Sequence, residues 1–202
     1  KDIFETIIPK GFFLPVVSGT KFVTLGGAIA SDIHGKNHHK DGSFCNFVES
    51  IKILTTKNTI IECSRKKQKK LFYATCGGMG LTGIILSAKV KIIKINSTFI
   101  DQKTIAPISI EDLIECFEKY DHKKYTIGWI DTSSKNVVKK LLFFSGNHSR
   151  NKFLKYKYKK QITLIFFFPK FFLNIFLLKM FNFFYKKFNS RPDKKVYFDD
   201  FF

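Results

Sequence analysis

Three groups of residues in this 202-residue chain have the types and spacing that chemistry needs. The first is the run Gly26-Gly27-Ala28-Ile29-Ala30-Ser31-Asp32-Ile33-His34-Gly35-Lys36-Asn37-His38-His39, small residues followed by polar ones with glycine again between them. Glycine has no Cβ to hold a ligand away, so such a run can close its backbone N–H groups around a bound group. The second is Gly78-Met79-Gly80-Leu81-Thr82-Gly83, a literal GxGxxG. That pattern marks a dinucleotide site only between a strand and a helix, and residues 84–95 after it alternate like a strand, so a Rossmann site is excluded. Two readings of the turn stay open, a close-packed glycine corner and a set of N–H groups for a phosphate. The third is His34, His38 and His39 with Cys45, whose spacing fits no structural zinc pattern, so no metal is assigned. Cys45 is read as a buried, inert thiol, and the pairs Glu111-Asp112 and Asp199-Asp200 as surface or capping residues.

The elements that would position these groups follow from periodicity. Residues 20–25 are β-branched and aromatic and read as a strand running into a tight turn at Gly26-Gly27. Residues 48–55 and 60–63 read as a hairpin, with Asn58 suited to positive φ in the turn between them. The basic run 65–70 reads as a solvated loop before a short helix at 71–75, and 84–95 reads as one strand. Beyond residue 98, Ser109 and Asp112 make a capping-box-like start to a helix carrying Leu113, Ile114, Phe117 and Tyr120, and strands are expected at 125–131 and 137–144. The fold class is therefore α+β, divided into residues 1–98 and 99–202. Residues 162–185 are the most apolar stretch, interrupted by Pro169, Lys170, Asn174, Lys179 and Asn182. Three readings remain for it, a bilayer span, an interfacial helix and ordinary core, with central lysines weighing against the span.

The formal net charge is +19, yet cations outnumber acids in both halves, 15 to 6 in residues 1–100 and 20 to 10 in residues 101–202. By this measure the excess is spread. With 32 Lys against 3 Arg, the chain lacks the bidentate side chains that nucleic-acid readers favour, and no nucleic-acid partner is assigned. Four cysteines without a CxxC pair point to a reducing compartment. Residues 1–30 show no secretory pattern, and a chain that opens on Lys1-Asp2-Ile3 without Met and stops on Phe201-Phe202 reads as a fragment.

The run 19–39, with Gly42-Ser43-Phe44 close behind and 71–85 (Leu-Phe-Tyr-Ala-Thr-Cys-Gly-Gly-Met-Gly-Leu-Thr-Gly-Ile-Ile) after the hairpin, resembles the FAD-binding domain of the vanillyl-alcohol-oxidase superfamily. Within it the chain is similar to the decaprenylphosphoryl-β-D-ribose 2-oxidase group and the related aldonolactone oxidases. Trp129-Ile130-Asp131, Gly146-Asn147-His148 and Phe198-Asp199-Asp200-Phe201-Phe202 are similar, more weakly, to that group's substrate domain. The resemblance implies the second lobe of a PCMH-type FAD-binding domain in residues 1–98 and part of an α+β substrate domain, with an antiparallel sheet, in 99–202. It implies noncovalent FAD held by Gly19, Thr24, Leu25, Gly26, Gly27, His34, Gly35, Lys36, Asn37 and Ile85. His34 would lie near flavin and substrate as the candidate catalytic residue. The alternative is a structural histidine held by Asp32 or by backbone.

The implied activity is oxidation of a secondary alcohol of a sugar, either a polyprenyl-phosphate-linked pentose in a 2′-epimerisation pathway of cell-envelope biosynthesis or an aldonolactone. The implied partners are that sugar or lipid-linked sugar phosphate, a short-chain reductase and a peripheral membrane surface, with a cytoplasmic or peripheral inner-membrane location. The family's N-terminal phosphate loop and C-terminal Tyr/Lys region have no counterpart in the sequence, so the chain alone is expected to be inactive. A catalytically inert remnant and a basic membrane-binding module are the competing readings.

Overall fold

The structure is a computed structural model that describes residues 1–133, 140–157 and 174–202. Its elements are helices mixed with antiparallel sheets, an α+β fold. The start of the strand expected at 137–144, and residues 162–173 of the apolar stretch, lie outside the described residues. The chain forms two compact units. The first takes Lys1–Thr98 together with Arg150–Tyr156 and Tyr197–Phe202, and the second takes Phe99–Ser149 and Lys157–Val196.

In the first unit, α1 (Asp2–Ile7) and a 3₁₀ turn at Ile8–Lys10 lead through Gly11, at φ +80°, into β1 (Phe12–Phe13). Then come α2 (Leu25–Ala30), α3 (His38–Asp41), β2 (Val48–Leu54), β3 (Ile60–Ser64), α4 (Lys69–Thr75), β4 (Ile84–Val90) and β5 (Ile93–Lys94). Strands β3, β2 and β4 form an antiparallel sheet in that order, and β1 pairs with β5. The hairpin forms as its sequence demands: Asn58 takes φ +55°, and the Thr55 N–H donates to the Thr59 carbonyl at 3.0 Å. Alternation along β2 sends Ile51 and Ile53 into a core shared with Cys63, with Ala28 and Ile29 of α2, and with Phe44 and Phe72.

Two expectations are corrected here. Residues 20–24 form no strand: among the described residues no neighbouring strand pairs with them, and β-branched residues fix a strand only where a sheet receives it. Instead the Thr24 hydroxyl accepts the Gly27 N–H at 3.0 Å and starts α2, so Gly26 and Gly27 sit inside a helical turn. The single strand expected at 84–95 is two strands in different sheets, β4 pairing with β2 as far as the Lys91 N–H bond to the Phe47 carbonyl at 2.8 Å, and β5 pairing with β1.

The second unit comprises β6 (Phe99–Ile105), α5 (Ile110–Lys119), β7 (Tyr125–Ile130), β8 (Leu141–His148), α6 (Ile175–Asn189) and β9 (Lys194–Tyr197). Its sheet runs β7-β8-β6-β9. The Ser109 hydroxyl accepts the Asp112 N–H at 3.0 Å, as the capping pattern predicts, and Asp112 accepts the Ile108 N–H at 3.2 Å. Helix α5 lays Leu113 and Phe117 on the sheet over Gly128, where an added Cβ would lie 3.2 Å from the Phe117 ring. Among the described residues, no helix is long and apolar enough to cross a membrane.

The last element, α7 (Phe198–Phe201), returns to the first unit. Phe198 joins Phe4 and Phe13 in an aromatic cluster with ring centroids 5.0–5.5 Å apart.

Candidate functional site

Helix α2 opens the first glycine-rich run, is capped at its start by Thr24 and is docked at its end by the second run. Its sequence, Leu-Gly-Gly-Ala-Ile-Ala, has weak helical preference, so it depends on its cap and on burial of Ala28 and Ile29. At its C-terminal end the second run docks: the Gly77 N–H donates to the Ile29 carbonyl at 3.0 Å and the Met79 N–H to the Ala30 carbonyl at 2.8 Å. At its N-terminal end Thr24 takes the Gly27 N–H, which leaves the N–H groups of Leu25 and Gly26 without an acceptor among the described residues. Ile85, half-buried in β4, closes beside them, and a Cβ built on Gly26 would lie 3.7 Å from the Ile85 Cβ.

Packing requires two of the three glycines of the 78–83 turn, while Gly80 meets nothing within 4 Å and sits at φ +81°. A Cβ at Gly78 would fall 2.0 Å from the Ala74 carbonyl oxygen, and one at Gly83, where φ is +136°, 2.3 Å from the Leu54 carbonyl oxygen. Strand β4 follows the turn where a Rossmann site would need a helix.

The 31–37 loop is built around Asp32, at φ +40°, whose carboxylate accepts the Ser43 hydroxyl and the Cys45 N–H, each at 2.8 Å. Asp32 is thus committed to holding the loop and does not hold His34. The His34 side chain is exposed, pairs by backbone with Ser43, and meets the His38 ring edge-on at 5.5 Å. Gly35 is required by the chain itself, since a Cβ there would stand 2.5 Å from the Val17 carbonyl oxygen. Asn37 is fully buried: its amide N–H₂ donates to the Pro15 carbonyl at 2.7 Å and to the Asp41 carboxylate, while its Oδ1 has no partner among the described residues. Gly19 lies in an exposed loop.

Lys36 is half-buried, with its ammonium donating to the Phe201 carbonyl and lying 4.6 Å from the Phe201 ring centroid. Burial lowers its pKa from the ordinary lysine value to about 8. Lys21 makes an ion pair with Asp199. Asp199, expected at the surface, is therefore a buried partner of the loop, and nothing local in the sequence signals a pairing across 178 positions. The hydrogen bond with the neighbouring Cys76 thiol, and then burial, push the Cys45 pKa up, so Cys45 stays a protonated thiol.

Of the residues named from the sequence, the fold thus gathers Thr24, Leu25, Gly26, Gly27 and Ile85 on one surface, and places Asp32 to Asn37 as a separately braced loop. Two uncommitted backbone N–H groups beside a glycine suit the oxygens of a phosphate or pyrophosphate. Among the described residues, no three His, Cys, Asp or Glu side chains converge as metal ligands.

Residues 1–64 match the family described as the FAD binding domain. The chain is 37% identical over 137 residues to decaprenylphosphoryl-beta-D-ribose oxidase of Mycolicibacterium smegmatis, which covers 66% of this chain and 30% of that protein. It is 25% identical over 119 residues to L-gulonolactone oxidase of Bos taurus, covering 59% of this chain and 26% of the relative. Cytokinin dehydrogenase 2 of Arabidopsis thaliana is 30% identical over 91 residues, 44% of this chain and 18% of the relative. The chain therefore spans about 30% or less of the length of these relatives. Residues 1–64 are thus similar to the FAD binding domain, and the chain is similar to parts of these oxidases and of the cytokinin dehydrogenase.

Proposed function

We propose that this chain is the flavin-binding and substrate-facing part of an FAD-dependent oxidoreductase that oxidises a secondary alcohol of a sugar, a polyprenyl-phosphate-linked pentose in preference to an aldonolactone. The observation that carries the reading is the pair of Leu25 and Gly26 N–H groups at the start of α2, uncommitted among the described residues and with Ile85 beside them, on a helix whose other end is docked by the second glycine-rich run. Those N–H groups would hold the pyrophosphate of noncovalently bound FAD, and Ile85 would give the cofactor an apolar contact. Bound FAD would supply the hydride-accepting ring. The remaining work falls to the protein. Asp32 fixes the loop that presents the exposed His34 imidazole, which would approach the sugar hydroxyl.

The preference for a phosphate-linked pentose rests on the 37% identity to the mycobacterial oxidase against 25% to the lactone oxidase. A short-chain reductase that accepts the ketone, and a cytoplasmic or inner-membrane-peripheral location, belong to the same proposal. The test is the flavin absorbance of the purified chain after incubation with excess FAD and desalting, beside Gly26→Val, which puts a branched side chain over the two N–H groups. Retained flavin in the native chain and its loss in the variant support the reading. Flavin retained equally by both, or absent from the native chain and from a longer protein containing it, overturns the site.

A further inference from the structure

We propose that α6 is an interfacial helix that docks this protein on an anionic lipid surface. Its orientation is inverted for a helix on a water-soluble sheet. The polar stripe faces inward: Asn182 donates to the Asp131 carboxylate at 2.7 Å, Tyr185 packs on Trp129 with centroids 5.1 Å apart, and Lys186 is half-buried. The outward stripe is apolar. Phe176, Met180, Phe183, Phe184 and Phe188 recur at helical spacing and expose between 44% and 72% of their surface. No residue of the helix is buried. An apolar face of this extent is a contact surface awaiting a partner.

The identity of the partner follows from charge. Between residues 132 and 192 the described residues of the second unit carry six cations, Lys140, Lys157, Lys179, Lys186, Lys187 and Arg191, and no Asp or Glu, although the chain as a whole has 16 acids. Dividing the chain at its midpoint hides this, because all ten acids of the second half lie outside that stretch. Exposed Lys179 and Lys187 sit on α6 itself. Aromatic rings that can enter the acyl boundary, flanked by lysines at headgroup level with no acid to repel the lipid phosphates, are the chemistry of a surface-lying helix. A nucleic acid would satisfy the lysines but leave the phenylalanines in water, and a second copy of the chain would satisfy the phenylalanines while opposing two basic surfaces.

The inference does not depend on the flavin reading, and its test contains no flavin. The full chain is floated with vesicles of equimolar phosphatidylglycerol and phosphatidylcholine, and with vesicles of phosphatidylcholine alone. Binding to the anionic vesicles that falls with salt is expected, with little binding to the neutral ones. Phe184→Ser with Phe188→Ser removes two exposed rings that stack on each other, and leaves Asn182 and Tyr185 in place, so the fold should keep its circular dichroism while partitioning drops at least tenfold. Lys179→Gln and Lys187→Gln should each weaken anionic binding about fivefold and leave neutral binding unchanged. Three results would overturn the proposal: equal binding of the double serine variant and the native chain, a lipid-independent dimer that the serine variant dissociates while vesicle binding persists, or displacement from vesicles by RNA with RNA binding indifferent to the serine substitutions.

Discussion

Lys21 and Asp199 form an ion pair with both side chains close to nine-tenths buried, at 12% and 10% exposure. It ties the loop before α2 to the end of the chain, and thereby fixes α7 against the segment that carries Thr24 and Gly26. Coulomb attraction at such burial offsets desolvation only while both charges are present, so removing one leaves the other stranded. Asp199→Asn should destabilise the first unit by about 3 kcal/mol. Lys21→Met combined with Asp199→Leu should cost clearly less than the sum of the single changes. A double-mutant cycle in urea measures the coupling, and additive costs would show that the pair is not formed.

How much of this was readable in the sequence depends on whether the information was local. The 48–64 hairpin and the cap of α5 are written in adjacent residues, and each takes the form its residues dictate. Helix α2 is misread as a strand with a turn because Thr20 to Leu25 are strand-formers, and only the absence of a pairing strand among the described residues lets the Thr24 cap decide. Contacts across long separations are not written locally at all. That residues 150–156 and 197–202 join the first unit, that Asp199 meets Lys21, and that Asp32 serves Ser43 and Cys45 rather than His34 become visible only in three dimensions. Within the candidate site the glycines were legible as a group but not their separate roles.

Those roles divide by what a side chain would meet. At Gly26 an added methyl finds ordinary contact, 3.7 Å from Ile85, and the residue sits in a helix, where alanine is preferred over glycine by about 1 kcal/mol. Gly26→Ala should therefore raise the urea midpoint slightly. At Gly35 the methyl would fall 2.5 Å from the Val17 carbonyl oxygen and 2.9 Å from the Asn37 Oδ1, both on buried or braced groups. Gly35→Ala should cost about 2 kcal/mol through overpacking. Similar stabilities for the two variants would mean that the loop does not rest on Val17 as described.

The buried ammonium of Lys36 gives stability a pH dependence of definite sign. Burial lowers its pKa in the folded chain to about 8 from 10.5, so between those values the unfolded chain binds more protons than the folded one. Stability contributed by this group should rise as pH climbs from about 8 through the ordinary lysine range, and show no slope from this source below pH 8. Lys36→Met should remove that rise, seen as a smaller difference between urea midpoints at the two ends of the window. An unchanged slope in the variant would show that Lys36 titrates normally and is not covered by Phe201.

Asp32 is the residue on which presentation of His34 depends. Its backbone lies at φ +40°, which aspartate and asparagine tolerate better than most residues, and its two carboxylate oxygens separately accept the Ser43 hydroxyl and the Cys45 N–H. Asp32→Ala loses both acceptors and meets the positive φ without a polar side chain, for an expected cost of about 3 kcal/mol. Asp32→Asn keeps one acceptor and the tolerated backbone, so it should lose about 1 kcal/mol. The cost should be local as well as global. Amide hydrogen exchange at Cys45 and Phe44, whose N–H groups donate to Asp32 and to the Ile33 carbonyl, should accelerate in the alanine variant more than exchange in β2. Uniform acceleration across the first unit would mean that Asp32 acts on overall stability alone, and that the loop presenting His34 has no bracing of its own.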